Sequence, residues 1–496
     1  MGKKDYLVFD FGASNGRAVL ASFDGSGFDL EVTHRFGNRP VWAGGTLYWD
    51  ILRLFSELKQ GIQASLARTG DLRSMGIDAW GADFGLLDDR GVLMANPVNY
   101  RDGQSIKDAG SLFSIISGRE LFELTGADIN PIFDLFKIFS QKKNNPSSSS
   151  HASTYLPIGD LLNYFLTGRA FNEITRFTTS IIYNQKEKKL ETSILERLGI
   201  PEHIFPRLIL PGSRVGDISG VVSGELGISP FPVIAPAMHD TASAVAGIPL
   251  SSQNMKNWAF ISLGTWACMG MEGRDVLIDD SVYEARFINE AGVEGTNLFV
   301  KNINGLWVIQ QCRERWLKEE DISWDGIVEK AVKARPFASL IDVDRQCFMD
   351  AQADMPRVIQ DFCRKTGQHV PETTGEISRC VYESLALKFR YYLGRLQDLE
   401  GREAGLLHIV GGGTQNRLLC QWIADATGKQ VEAGPTETTA VGNLLMQLKA
   451  DGEIKDIKEG REMCRGSSKV LHYSPGDTDI WDEAYNTYLG ITGKEQ

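Results

Sequence analysis

The sequence predicts an α/β protein of two domains, and three observations carry that prediction. At 496 residues the chain is too long for one ordinary core. Twice an apolar strand breaks at a glycine turn and resumes as a second strand, in "YLVFDFGASNGRAVLASF" from residue 6 and in "WAFISLGTWACMGM" from residue 258. Each opening leads on to strands mixed with helices, which points to a duplicated α/β unit.

The elements follow in order. Strands fit "YLVFDFG", "GRAVLASF" and "LEVTHRF". Asp50 is placed to cap a helix that keeps Ile51, Leu54, Phe55, Leu58 and Ile62 on one face, and Gly70 ends it. "SMGIDAWGADFGLLDDRGV" reads as a strand, a glycine-rich bend and a second strand that turns at Asp88-Asp89-Arg90-Gly91. "KKNNPSSSSHAST" at 142–154 is the one low-complexity patch and reads as a solvated loop. A helix follows in "PIGDLLNYFLTG", and "FPVIAPAMHDTASAVAGIPL" closes the first domain. In the second half Ile377, Val381, Leu385, Phe389 and Leu393 recur at helical steps. The strand "LLHIV", the turn "GGGTQN" and the helix "RLLCQWIADATGKQ" come after them.

Composition narrows the class. With 42% hydrophobic and 23% charged residues the chain has a globular balance. No apolar run approaches the roughly 18 residues of a membrane span. The first residues enter a strand at once, which leaves no stretch for a signal peptide, and Tyr6 makes the Met-Gly start a poor myristoylation signal. A net charge of −12 argues against a nucleic-acid surface, though not against a nucleotide held by backbone amides. The seven cysteines show no Cys-x-x-Cys or zinc spacing. Cys363 and Cys380 would meet if their segments pack together, and both are expected reduced, in the cytoplasm.

Four stretches could carry chemistry. The turn Gly12–Gly16 resembles a phosphate cradle without being a Walker loop, since its glycines are too close and no Gly-Lys-Ser/Thr follows. Its amides, Ser14, Asn15 and Arg17 suit phosphate oxygens, and Asp10 at the strand end suits Mg²⁺, directly or through water. The plain alternative is a β-hairpin with a surface arginine. "GGGTQN" at 411–416 permits close ligand approach ahead of a helix N-terminus, or is simply a strand–helix turn. It is not the dinucleotide fingerprint, because Asn416 stands where a third glycine belongs. In "SLGTWA", Thr265 offers a hydroxyl, and two such turns facing each other would clamp a polyphosphate. In "HDTASAV", Asp240 is either a helix cap or the base for a hydroxyl nucleophile. Asp78, Asp83 and Asn302 are polar outliers in apolar surroundings, and Trp49 and Trp80 offer faces for a sugar. Each of these, taken singly, also fits a structural role.

Together these stretches resemble the FGGY carbohydrate kinases. The motifs are "DFGASNGR", "GIDAWGADFGLLDDRG", "NYRD", "HDTASAV", "SLGTWACMG", "FVKNINGLWVIQQ", "LHIVGGGTQN" and "AGPTETTAVGN", in family order along nearly the whole chain. The resemblance implies an α/β fold of two ribonuclease H-like (actin-like ATPase) domains with an active-site cleft between them. It implies an N-terminal domain at 1–247 with the sugar site and phosphate hairpin, a nucleotide-binding domain at 248–455, and an extension at 456–496 packed on the second domain. Asp240 becomes the catalytic base. Ala13, Ser14, Asn15, Gly16, Arg17, Thr265, Gln310 and Gly412 fall at ATP positions. Gly81, His239, Asp240, Thr241 and Asn302 fall at sugar positions, with Asp10 near Mg²⁺.

The implied reaction is transfer of the ATP γ-phosphoryl group to the 1-hydroxyl of a ketose, L-rhamnulose first, with L-fuculose or xylulose as alternatives. A non-catalytic actin-like nucleotide switch is the alternative of another class. The expected partners are ATP and a small ketose, with no nucleic acid and no membrane, in a monomer or homodimer. Asn15, Leu263, Ala267 and Thr414 depart from the pattern of the members acting on L-rhamnulose, but none of these removes an acid or a cation.

Overall fold

The computed structural model describes residues 2–349, 354–476 and 478–493. The chain forms two compact units that are discontinuous in sequence. The first comprises Met1–Ser252, Glu272–Phe299 and Thr438–Ser468, and the second Gln253–Met271, Val300–Glu437 and Lys469–Gln496.

The first unit is built on strands β1 (Lys4–Phe11), β2 (Asn15–Phe23), β3 (Phe28–Gly37), β4 (Ser74–Ala79), β5 (Ser213–Asp217) and β6 (Pro232–Ala235). They lie in the order β5-β6-β4-β1-β2-β3. β1, β2 and β3 are antiparallel, whereas β4 runs parallel to β1 and β6 parallel to β4. Strand alternation divides the sheet's two faces. Leu7, Phe9, Phe11, Met75, Ile77 and Ala79 join one apolar core with Leu54, Leu58 and Ile62 of the helix Ile51–Thr69. That helix is capped by Asp50 and closed by Gly70 in a left-handed conformation, as its sequence predicts.

The other face meets the helix Thr438–Ala450, which reaches this sheet from the far end of the sequence. Its Asn443 Nδ2 donates to Asp78 Oδ2 at 2.7 Å, and its Gln447 Nε2 donates to the Leu7 carbonyl at 3.0 Å. The same helix crosses the helix Asp240–Ala246 almost backbone on backbone. A Cβ on Gly442 would lie 1.8 Å from the Ser243 carbonyl oxygen, and one on Gly247 would lie 2.2 Å from that of Thr438. Either substitution would push the two helices apart.

The second unit repeats the plan with β7 (Trp258–Leu263), β8 (Trp266–Gly273), β9 (Asn297–Asn304), β10 (Leu406–Val410), β11 (Gln430–Ala433) and β12 (Leu471–Tyr473). These follow one another as β9-β8-β7-β10-β11-β12. A hairpin opens the unit, β10 pairs parallel with β7 and β11 parallel with β10, and an antiparallel strand closes the edge. Read from the closing edge inward, the six strands of the first sheet are matched by these six, with the strand Ile288–Ala291 added as a seventh beyond β9, which agrees with the duplication the sequence suggests.

Two local expectations change. The 142–154 patch is not wholly loop, because the helix Asp134–Asn144 runs into it and Pro146–Ser149 adds a helical turn. "GGGTQN" does not open directly into a helix. A 3₁₀ turn, Gly412–Gln415, intervenes, and Asn416 then caps the helix Arg417–Thr427 by accepting the Leu419 amide at 3.0 Å.

Candidate active site

In the first unit the turn between β1 and β2 is fixed from below by Asn38. The Gly12 amide donates to the Asn15 carbonyl at 2.9 Å, the Asn38 amide to the Ser14 carbonyl at 2.9 Å, and Asn38 Nδ2 to the Gly12 carbonyl at 2.9 Å. Gly16 is buried under the Phe36 ring, where a Cβ would come within 2.3 Å. Ser14 and Asn15 are left exposed and Ala13 half-buried. Cross-strand pairing sets Arg17 opposite Asp10, and both Arg17 Nε (3.1 Å) and Nη2 (2.6 Å) donate to Asp10 Oδ2.

The parallel register sets Asp78 beside Asp10 on the same face. Asp78 is fully buried, held by Asn443 through Oδ2, and its Oδ1 has no hydrogen-bond partner. Burial first, and then the charges of Asp10 and Asp240, push its carboxyl well above the usual carboxylate range, with Asn443 working against the rise.

Asp240 opens the helix Asp240–Ala246, with His239 as the residue before it. Its Oδ1 accepts the Thr241 amide at 2.7 Å, and its side chain is 37% exposed. Lost hydration raises its pKa, His239 opposes the rise, and Asp10 adds to it. His239 is buried, with Nε2 3.4 Å from Asp240 Oδ1 and Nδ1 3.3 Å from Glu290 Oε2. Burial alone would lower the histidine pKa, but Glu290 and then Asp240 outweigh it and the net shift is upward. Gly81 touches the same ring, since a Cβ there would lie 2.5 Å from His239 Nε2. Gly81, His239, Asp240 and Thr241 are thus brought together, and through the Asp10–Asp78 register their charges reach the hairpin.

In the second unit three turns converge. The Leu306 amide donates to the Gly264 carbonyl at 2.9 Å and the Trp307 amide to that of Thr265 at 3.2 Å. This joins the turn carrying Thr265 to the helix Trp307–Trp316 carrying Gln310. A Cβ on Gly413 would lie 2.3 Å from the Leu263 side chain, whereas one on Gly412 meets nothing within 4 Å. Gly412 is therefore the open face of its turn. Asn302 is exposed on β9.

Three outliers do not open on a sugar site. Trp49 and Trp80 are buried with ring centroids 4.5 Å apart, and both indole N–H groups donate to Asp83 Oδ2, at 2.5 and 3.2 Å. Lys137 donates to the other oxygen of Asp83. Because their polar atoms satisfy one another inside the unit, their role is structural. Cys363 and Cys380 do meet, as neighbouring free thiols, both buried. Glu290 and Asn443 were not singled out by sequence reasoning. The available signal was a polar residue in an otherwise apolar strand or helix face, in "FINEAG" and "AVGNLL".

The sequence pattern of the FGGY family of carbohydrate kinases, N-terminal domain, matches residues 5–247, and that of the C-terminal domain matches 259–450. A rhamnulokinase of Bacteroides thetaiotaomicron is 38% identical, covering 97% of this chain and 98% of the relative. One from Enterococcus faecalis is 36% identical, covering 96% of each chain. Among solved structures, a xylulose kinase from Lactobacillus acidophilus superposes with a TM-score of 0.82 at 15% identity, over 99% of this chain and 98% of that one. The Plasmodium falciparum glycerol kinase with ADP gives 0.78 at 15% identity, over 99% of both. This chain belongs to the FGGY family of carbohydrate kinases and is a sugar phosphotransferase.

Proposed function

We propose that the enzyme transfers the γ-phosphoryl group of Mg·ATP to the 1-hydroxyl of L-rhamnulose. The observation that supports this most is the half-exposed Asp240 carboxylate, set beside His239 in the same unit as the Asp10–Arg17 pair. The sugar identity draws on the full-length likeness to rhamnulokinases. In this reading 1–247 contributes the sugar site and the phosphate hairpin, 248–455 the nucleotide contacts, and 456–496 an extension.

Asp240 accepts the proton of the 1-hydroxyl as the oxygen attacks phosphorus. A carboxylate suffices because the transition state is loose and positioning matters more than early deprotonation. His239, Thr241 and the backbone at Gly81 orient the sugar in the first unit, and the family resemblance adds Asn302 to the sugar contacts. Arg17 and the amides of residues 13–16 take phosphate oxygens, while Thr265, Gln310 and Gly412 hold the nucleotide. Gly412 suits close approach because nothing crowds it.

FGGY kinases use ATP with a divalent metal, and the donors here fit a hard cation. Asp10 and Asp78 lie in register, and the buried Asp78 Oδ1 lacks a partner. Among the described residues no three ligating side chains converge, so Mg²⁺ would take one or two carboxylates and complete its shell with water and phosphate oxygens. When bound, the ion neutralises charge on the transferring phosphoryl group. Among the described residues no helix is long and apolar enough to cross a membrane. The seven free thiols support a reducing, cytoplasmic setting.

Proton-coupled ³¹P NMR of the product from Mg·ATP and L-rhamnulose tests the reading. An ester on the C1 methylene gives a triplet. A doublet, from a secondary hydroxyl, would overturn the regiochemistry, and faster conversion of L-fuculose or xylulose would move the enzyme to that ketose.

A further inference from the structure

His239 sits between two carboxylates, and only one of them has a role so far. Glu290 lies on the strand Ile288–Ala291 and is buried. Its Oε2 and His239 Nδ1 are both buried, neither makes a hydrogen bond of good geometry with any group, and they lie 3.3 Å apart as an ion pair. The backbone around Glu290 is pinned on both sides. The Asn289 carbonyl accepts Gln185 Nε2 at 2.5 Å, and the Ala291 amide donates to Thr178 Oγ1 at 3.1 Å. Behind the histidine, the His239 amide donates to Thr175 Oγ1 at 3.2 Å, and the Met238 amide to Glu173 Oε2 at 3.0 Å. The two backbones are therefore fixed, and the ring itself is buried with Gly81 packed against its Nε2 side.

We propose that Glu290 is a positioning residue for phosphoryl transfer. It holds the Nδ1–H of His239, so that the imidazole carries a proton on both nitrogens and presents Nε2–H to Asp240 and to an acceptor oxygen of the sugar. The inference rests on the assignment of His239 and Asp240 to the sugar site.

The alternative protonation state is the unfavourable one. A neutral ring donating Nδ1–H to Glu290 would aim its Nε2 lone pair at Asp240 Oδ1, 3.4 Å away. The charged groups around the ring are Glu290, Asp240 and, more remotely, Arg176, with Glu173 beneath the adjoining backbone. Only Arg176 opposes a second proton by its charge. The upward shift of His239 despite its burial agrees with this balance. The imidazolium in turn keeps Asp240 in its basic form against the effect of burial. Gly81 leaves the approach to Nε2 open, because any side chain there would strike the ring.

The test is ¹⁵N NMR of the histidine rings in the full-length enzyme, with the His239 signal assigned by its loss in His239→Gln. At pH near 7 both nitrogens of wild-type His239 are expected to be protonated. In Glu290→Gln its titration moves to lower pH, and sugar kcat/KM falls about tenfold while KM for ATP stays unchanged. Glu290→Asp, which keeps the charge, recovers part of the loss. A neutral His239 in the wild type, a titration unmoved in Glu290→Gln, or equal losses toward ATP and sugar would each overturn the proposal. The ring signals read out without turnover. If ADP release ignored every sugar, the kinase reading would fail while the imidazolium result stood or fell by itself.

Discussion

The turn that opens the first unit and the turn that opens the second occupy the same place in the same strand order, yet they carry different chemistry. In the first, the last pairs of the hairpin are Asp10 with Arg17 and Phe11 with Gly16, and Asp78 stands beside Asp10 on the parallel strand. In the second, the corresponding pairs are Ser262 with Cys268 and Leu263 with Ala267, and Val410 stands beside Ser262. An aspartate–arginine–aspartate set is matched by serine, cysteine and valine. The shared backbone plan thus supplies two glycine turns, and side chains divide the labour between them. The charged groups Asp10, Arg17, Asp78 and Asp240 are gathered in the first unit, while the turn of the second offers backbone, a hydroxyl and neutral side chains. Backbone amides and charged side chains can each hold phosphate, but proton transfer requires a titratable group.

The largest expected effect breaks the comparison at its charged end. Asp240→Asn should lower kcat by about 10²–10⁴-fold, with ATP binding by calorimetry retained because the proposed nucleotide contacts lie elsewhere. Next, Arg17→Ala should reduce kcat/KM for ATP by about 10-fold or more, since charge-assisted contacts to phosphate are the strong ones. The matched change in the second unit, Cys268→Ala, should leave the ATP kinetics nearly unchanged. Equal losses in the two variants would show that the division of labour is wrong.

The pH dependence follows from the same gathering of acids. As the proposed base, Asp240 is needed as a carboxylate and its pKa is raised, so kcat should fall on acidification at a pH above the ordinary aspartate value of about 3.9. Asp78 affects stability. Between its unfolded value, about 3.9, and its raised folded value the native state binds more protons than the unfolded chain, so stability falls as pH rises through that window. Asp78→Asn should therefore raise Tm near pH 8, and the gain should shrink toward pH 4. A gain independent of pH would show that the buried carboxyl is not the cause.

The smallest effect compares two glycines. Gly81→Ala forces a Cβ against His239 and should raise KM for the sugar while sparing KM for ATP. Gly412→Ala meets no neighbour within 4 Å and should shift stability by no more than about 0.5 kcal/mol, so any loss of ATP affinity reports on the ligand rather than the fold.

Much of this architecture is legible from local pattern. The opening hairpin, the helix between Asp50 and Gly70, and the strand before "GGGTQN" are set by alternation, caps and glycines within a few residues of one another. Cross-strand pairing explains why Asp10 and Arg17, seven positions apart, meet. What stayed hidden depends on distance along the chain. Asn443 reaches Asp78 across 365 positions, and nothing in "AVGN" says which sheet its helix will cover. Glu290 is the single acid of the short strand Ile288–Ala291, and its value comes from a histidine on another element. Trp49, Trp80 and Asp83 take the structural role that suits each of them singly. Their side chains suit a sugar, but the fold turned all three inward to satisfy one another. The one-turn helix at Pro146–Ser149 was hidden by its serine-rich composition.

The most direct test of the central claim is ADP release from Mg·ATP by the wild-type enzyme with L-rhamnulose, L-fuculose, L-xylulose, D-xylulose or no sugar, repeated with Asp240→Asn. The account predicts release that depends on L-rhamnulose and disappears in the variant. Release indifferent to sugar, or undiminished in the variant, would contradict it.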